Sequence, residues 1–372
     1  MAVHREDAAV NASADAATMP EEAQRVRERR GVVPRLALAV AVLSVLIVVA
    51  SAFSVSIGAF SIPLRSVVSV FLGMVGIEAG SASRTEYLVI EQLRLPRLIV
   101  GILVGAALSV AGATMQALFR NPMADPGIIG VSAGAALGAV IALAFQLTAL
   151  FPFALQALAF SGAVAAAFLV YGVSLVGGRS SMATLLLSGI AISAFLGAMT
   201  STIILLVPDE DLRGIMYWLS GGLSGSNWAH VRVAALPVAV GALFVTSFAR
   251  DLNLLLLGDE VARSTGVPVG WLRPLLLAVS AIITGAAVAV SGTIAFVGLV
   301  VPHIVRLIVG PDHRVLIPTS ALTGALFMVV ADIVARVTAR PAELQVGMVT
   351  AFIGAPFFLL ILLRNRHRAG AL

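Results

Sequence analysis

Ten apolar runs, each close to the ~20 residues that carry a helix across a bilayer core, follow one another from residue 36 to residue 363. They fall near 36–57, 98–119, 128–148, 152–176, 184–207, 231–249, 274–291, 294–309, 315–335 and 346–363. Lipid tails offer no hydrogen bonds, so a backbone crossing them must satisfy its own polar groups. That requirement leaves this chain one architecture, helices packed side by side. The expected fold is all-α, a polytopic membrane protein with about ten transmembrane helices. The seventh and eighth runs are parted only by the turn around Ser291-Gly292.

Composition supports this reading. Hydrophobic residues make up 59% of the 372 and charged residues only 12%, too few to cover a soluble surface of this size. The absence of cysteine excludes disulfides and thiolate metal ligands. Every basic side chain other than histidine is arginine. The arginines lie between apolar runs and form no continuous basic face, which points to membrane orientation and away from nucleic acid.

Residues 1–33 are polar and without apolar periodicity, and are expected to form a disordered cytoplasmic tail. Arg25, Arg27, Arg29, Arg30 and Arg35 then flank the run that starts at Leu36. The order imitates a signal peptide, with Ala50-Ser51-Ala52 as a mock cleavage site. The apolar run is longer than a signal core, however, and many spans follow, so a retained first helix is expected. The membrane domain is expected over 34–365, with a short cytoplasmic tail at 366–372. An even number of spans puts both termini on one side. With that side cytoplasmic, arginines inside outnumber those outside by about two to one.

Four segments depart from plain apolar helix. Arg250 to Trp271, RDLNLLLLGDEVARSTGVPVGW, carries a leucine stripe broken at Gly258, then Asp259-Glu260 at a helix start, with Gly266 and Pro268 ending that helix. It reads as two short helices suited to a groove on another protein. In RNPMADPGIIG, from Arg120 to Gly130, two prolines forbid a continuous helix, and Asn121 and Asp125 can bond the freed amides. Leu93 to Phe119 opens with Arg94 and Arg97 around Pro96, and ADIVAR supplies Arg336. Gly292 to Arg306, GTIAFVGLVVPHIVR, places proline, histidine and arginine close together in an apolar run, which protein or water must surround. Asp332 is the one carboxylate expected inside a span, and an i,i+4 pair with Arg336 is the expected arrangement. For His303 a structural hydrogen bond is expected; no second ligand lies at metal-binding spacing.

Together these motifs, with ELQVGMVTAFIGAPFFLLILLR at the end, resemble the FecCD-type permeases of bacterial importers for iron–siderophore, haem and cobalamin. The resemblance spans about residues 36–365. It implies a type II ABC importer permease fold in the bacterial plasma membrane, paired with a second copy or a close paralogue. It also implies two ATPase subunits inside and an extracytoplasmic substrate-binding protein outside, with lipid around the bundle. By the same resemblance, Leu254, Gly258, Asp259, Glu260, Ala262 and Gly266 belong to the ATPase-coupling loop. Arg94, Arg97 and Arg336 dock the binding protein. Asn121, Met123, Met182 and Ala183 stand at the cytoplasmic gate. No cofactor or metal is expected in this chain, which has no G-x-x-x-x-G-K-[ST] loop; ATP and Mg would bind the partner ATPase. No catalytic residues are expected. The expected cargo is a ferric siderophore, with haem or cobalamin as the alternative. An ion-coupled secondary transporter would need several intramembrane carboxylates, and a membrane enzyme clustered catalytic side chains; the sequence offers neither.

Overall fold

The computed structural model describes residues 21–58, 61–74, 76, 82–176, 179–180, 182–339 and 342–369. Its helices in chain order are α1 (Glu21–Ser56), α2 (Leu64–Met74) and α3 (Arg84–Val89), which continues through one π-turn (Ile90–Arg94) into α4 (Leu95–Leu118). There follow α5 (Val131–Ala144), α6 (Ala154–Ser174), α7 (Met182–Leu206), α8 (Asp209–Leu219) and α9 (Trp228–Ser247). The last six are α10 (Ala249–Leu256), α11 (Asp259–Ser264), α12 (Val269–Ser291), α13 (Val297–Val309), α14 (His313–Thr338) and α15 (Val346–Ala369). A two-residue antiparallel ladder, Leu175–Val176 against Arg179–Ser180, closes the link from α6 to α7.

Seven helical stretches are long and apolar enough to cross a bilayer, lying in α1, α3–α4, α6, α7, α9, α12 and α14. The shorter apolar helices α5, α13 and α15 complete the ten expected spans. α12 and α13 are separate helices. Gly292, at φ +67°, ends the first against the carbonyl of Trp218, which a side chain at that position would strike.

Three boundaries differ from expectation. The tail expected to be disordered to residue 33 is helical from Glu21, because its Glu, Ala, Gln and Arg residues are good helix formers; residues 1–20 lie outside the described ones. The same propensity carries α15 to Ala369, past the expected boundary at 365. α5 starts only at Val131, because Pro126–Ile129 is a 3-10 turn and Gly130 is left-handed. Three further helices were not foreseen. The short α2 and α3 were hidden by their length, and the amphipathic α8 by its acidic first turn.

α4 stands at the centre, packed by α12, α13 and α14. Lipid provides no hydrophobic drive between helices, so close backbone packing must hold them. Glycine permits it here: a Cβ on Gly105 would lie 2.1 Å from the Gly324 carbonyl oxygen of α14, and one on Gly112 would lie 1.8 Å from that of Gly298 on α13. α4 and α14 run antiparallel, so each contributes side chains to both ends of the bundle. Those ends, named here for Asp259 and Asp332, hold the polar clusters.

Candidate functional site

At the Asp259 end, α10 and α11 form a hairpin folded against the bundle. Gly258 makes its corner at φ +114° and Gly266 its exit at φ +89°, conformations that disfavour other residues. Leu252 and Leu255 are fully buried and anchor α10, while Leu254 packs half-buried against the same core. Leu257 and Val261 point away, 65% and 42% exposed. The leucine stripe is therefore split: part of it holds the hairpin and part is presented outward. Ala262, expected as a coupling contact, is fully buried and can only shape the hairpin from beneath. Glu260 is exposed.

Asp259 ties this hairpin down. Arg273 of α12 donates to both carboxylate oxygens at 2.7 and 2.8 Å, and Arg120 at the end of α4 donates at 3.1 Å. The Arg273 hydrogen bonds are the chief reason the Asp259 carboxyl sits below the usual aspartate range, with the charges of Arg273, Arg120 and Arg263 adding to them against partial burial. The next residues obey local hydrogen-bond logic. Asn121 Oδ1 accepts from the Met123 amide (2.9 Å), and Asp125 Oδ1 from the Gly127 amide (2.8 Å). A cavity of about 350 Å³ opens here, lined by Met182 together with Asp259, Arg263, Arg273 and Tyr171. Met182 thus meets the Asp259 cluster. Asn121 and Ala183 are exposed, Met123 is half-buried, and none of the three lines this cavity.

Asn253, on α10, is a residue the sequence did not single out. Its Nδ2 donates to Asp312 Oδ1 at 2.8 Å, and its Oδ1 accepts from the His313 amide at 2.9 Å and lies 2.7 Å from His313 Nδ1. His313 is fully buried. Asp312 also caps α14 and pairs with Arg314 at 2.7 Å. One amide side chain therefore latches the hairpin to the first turn of α14. Near it, Arg306 of α13 donates to Gln116 Oε1 of α4 (3.0 Å), and Gln116 donates to the Leu299 carbonyl (3.1 Å). His303, in contrast, leaves Nδ1 buried without a hydrogen-bond partner among the described residues.

At the Asp332 end the arginines are engaged inside the molecule. Asp332 receives Arg97 at 2.9 Å and Arg336 at 3.0 Å, the latter being the i,i+4 pair. Arg97 also reaches Glu343 at 2.8 Å, and Ser224 donates to the same Glu343 oxygen at 3.2 Å. Burial alone would raise the Glu343 carboxyl, but the hydrogen bond and charge of Arg97 hold it below its ordinary value.

The remaining donors go to the end of α1. Arg336 bonds the carbonyls of Ser54 (2.9 Å) and Ile57 (2.6 Å) and the Ser54 hydroxyl (2.7 Å), while Arg94 bonds the carbonyls of Val55 and Ser56. A helix leaves its last carbonyls without partners, and cations there also complement its dipole. Arg336 is only 6% exposed, so it is a buried clamp and presents no free guanidinium outside. Arg97 is mostly buried, and Arg94 half-buried. The service of Arg94 and Arg336 to α1, and of Arg97 to Asp332, is invisible in sequence, because those partners lie 38 to 282 residues away.

The profile of the FecCD transport family matches residues 46–364 of this chain. The cobalamin import system permease protein BtuC of Halobacterium salinarum is 50% identical over 285 residues, covering 77% of this chain and 76% of that protein. The hemin transport system permease protein HmuU of Yersinia pestis is 40% identical over 338 residues, 90% of this chain and 97% of that one. Among solved structures, an inward-facing transporter described as metal-chelate type ABC superposes with a TM-score of 0.75 at 31% identity, covering 87% of this chain and 97% of that one.

Proposed function

Because this chain belongs to the FecCD transport family, we propose that it is the permease of an importer carrying a ferric siderophore inward across the plasma membrane. It is a multi-pass permease of the ABC importer type. In our reading two copies enclose the path and two ATPase subunits dock at the Asp259 end, which faces the cytoplasm. A substrate-binding protein docks at the Asp332 end. Nucleotide binding in the ATPases would bias the pair between inward- and outward-open states, and Met182, Ala183, Asn121 and Met123 would form the inner gate. ATP and Mg belong to the partner.

The α10–α11 hairpin carries this reading. It holds Leu257 and Val261 outward on a base pinned by Asp259 and Asn253, the form of an amphipathic element made for a groove. Leu257→Ser with Val261→Ser should release the ATPase from the purified complex and stop uptake while the permease still folds. Full retention and full uptake would refute docking there. For orientation, Ala342→Cys should react with an impermeant thiol reagent from outside and Ser264→Cys should not. The chain's lack of cysteine gives that assay no background.

A second cargo, cobalamin, is favoured by the 50% identity to the Halobacterium salinarum protein. Proteoliposomes holding the complex and its binding protein, offered labelled ferric siderophore, haem and cobalamin in turn, decide between them.

A further inference from the structure

α1 is clamped at one end and open at the other. Its last turn is held by Arg94 and Arg336, but none of its most apolar 18-residue window is buried. Towards the Asp259 end it leaves a groove of about 750 Å³ against α13 and α14. Leu38 and Val42 of α1 and Leu307 and Ile308 of α13 make the walls apolar, and Arg35 stands at the mouth. Thr319 and Thr323 of α14 line the groove too.

We propose that this groove is a site for an anionic glycerophospholipid. One acyl chain would lie along Leu38, Val42 and Ile308, with the phosphate against Arg35. Three features select this occupant. The slot is apolar along its length and positive at its mouth, matching an amphiphile with an anionic head. In the sequence, Arg25, Arg27, Arg29 and Arg30 precede Arg35 with a single intervening acid, Glu28. Juxtamembrane basic clusters of this kind attract anionic headgroups. Finally, Leu307 and Ile308 are 73% and 76% exposed at the rim, as lipid-facing residues should be. If the Asp259 end faces the cytoplasm, as proposed above, the lipid belongs to the inner leaflet.

The test uses the full chain in detergent, exchanged with phosphatidylglycerol or phosphatidylcholine of identical acyl chains and examined by native mass spectrometry. Wild type should retain phosphatidylglycerol in preference to phosphatidylcholine. Arg35→Gln should cut that retention by about fivefold, the scale set by one basic side chain near an anionic surface. Arg84→Gln, at the opposite end, should leave it unchanged. Thr323→Phe, which fills the groove, should remove the bound lipid, and thermal melting would confirm that each variant still folds. Equal retention of the two lipids by wild type, or equal retention by wild type and Arg35→Gln, would overturn the proposal. So would a dimer that Thr323→Phe alone breaks apart, which would make the groove a protein interface. Headgroup selectivity in detergent does not depend on which end faces the cytoplasm, so failure here and failure of the orientation are separable.

Discussion

The two ends of the bundle use the same chemistry to opposite effect. Each centres on an aspartate held by two arginines. At the Asp332 end, the carboxylate side chain is 4% exposed and its partners Arg97 and Arg336 are 15% and 6% exposed. At the Asp259 end, the aspartate is 29% exposed, Arg120 is 41% exposed and Arg273 is 13% exposed. A buried pair is a fixed joint, since losing one member strands a charge in a medium that cannot solvate it. An exposed pair, as Arg120 makes with Asp259, is worth little as stability and can break and re-form. The molecule thus has a rigid end and a yielding one. α4 and α14 join them, because α4 carries Arg97 near its start and leads to Arg120 just past its end, while α14 starts at His313 and carries Arg336 near its end. A transporter that answers a nucleotide cycle at one end is expected to be looser there.

The largest effect should come from the rigid end. Asp332→Ala leaves two buried arginines facing each other and should cost about 3–5 kcal/mol, read as a steep fall in melting temperature in detergent. The double variant Asp332→Asn with Arg336→Met removes charge in balance and should recover part of that loss. If Asp332→Ala melts with wild type, the end is not rigid and the contrast fails.

Next in size is the Asn253 latch. Asn253→Leu leaves the Asp312 and His313 groups short of partners inside the hairpin–α14 joint and should cost about 1–3 kcal/mol. Uptake should suffer beyond the stability loss, because the hairpin would no longer move with α14. Uptake that merely tracks the folded fraction would reduce Asn253 to a packing residue.

Asp259→Ala should do the reverse of Asp332→Ala. It removes a partly exposed carboxylate and should cost less than Asp332→Ala, about 1–2 kcal/mol, yet ATP hydrolysis should uncouple from transport. A melting loss as large as that of Asp332→Ala would mean both ends are structural.

Much of this contrast could not be read from sequence. The ten spans were legible because bilayer thickness fixes the length of an apolar run, and the hairpin because Gly258, Gly266 and Pro268 punctuate it. The Asp332–Arg336 pair was legible because i,i+4 spacing is local. What escaped is what depends on tertiary contact. Ala262 and Leu257 lie five residues apart in the same loop, yet one is buried and the other exposed, and no local pattern assigns them. Asn253 looks like a polar interruption in a leucine run until α14 is brought beside it. Arg94 and Arg336 were read by resemblance as facing outward, whereas the last carbonyls of α1, far away in sequence, claim them. α1 itself begins earlier than the apolar pattern suggests, because helix propensity continues where hydrophobicity stops.

The smallest effect, and the finest test of the contrast, is the response to acid and salt. Asp259 and Glu343 both sit below their ordinary ranges, Asp259 chiefly through the Arg273 hydrogen bonds and Glu343 through Arg97 against the opposing effect of burial. A carboxyl depressed in the folded state contributes stability that is fully present above its unfolded value, ~3.9 for Asp and ~4.3 for Glu, and that is lost as pH falls through the folded value. Melting temperature should therefore be flat in these two groups from about pH 8 to 5 and decline only in more acid buffer. Asp259→Asn and Glu343→Gln should each flatten part of that decline. Salt then separates the two ends, because exposed charges are screened within about 8 Å at physiological ionic strength while buried ones are not. Raising salt should erase the difference made by Arg120→Gln, whose side chain is 41% exposed, first and leave that of Asp332→Ala, whose carboxylate is 4% exposed. Equal loss of both differences with salt would place the two ends in the same dielectric and remove the physical basis for calling one rigid.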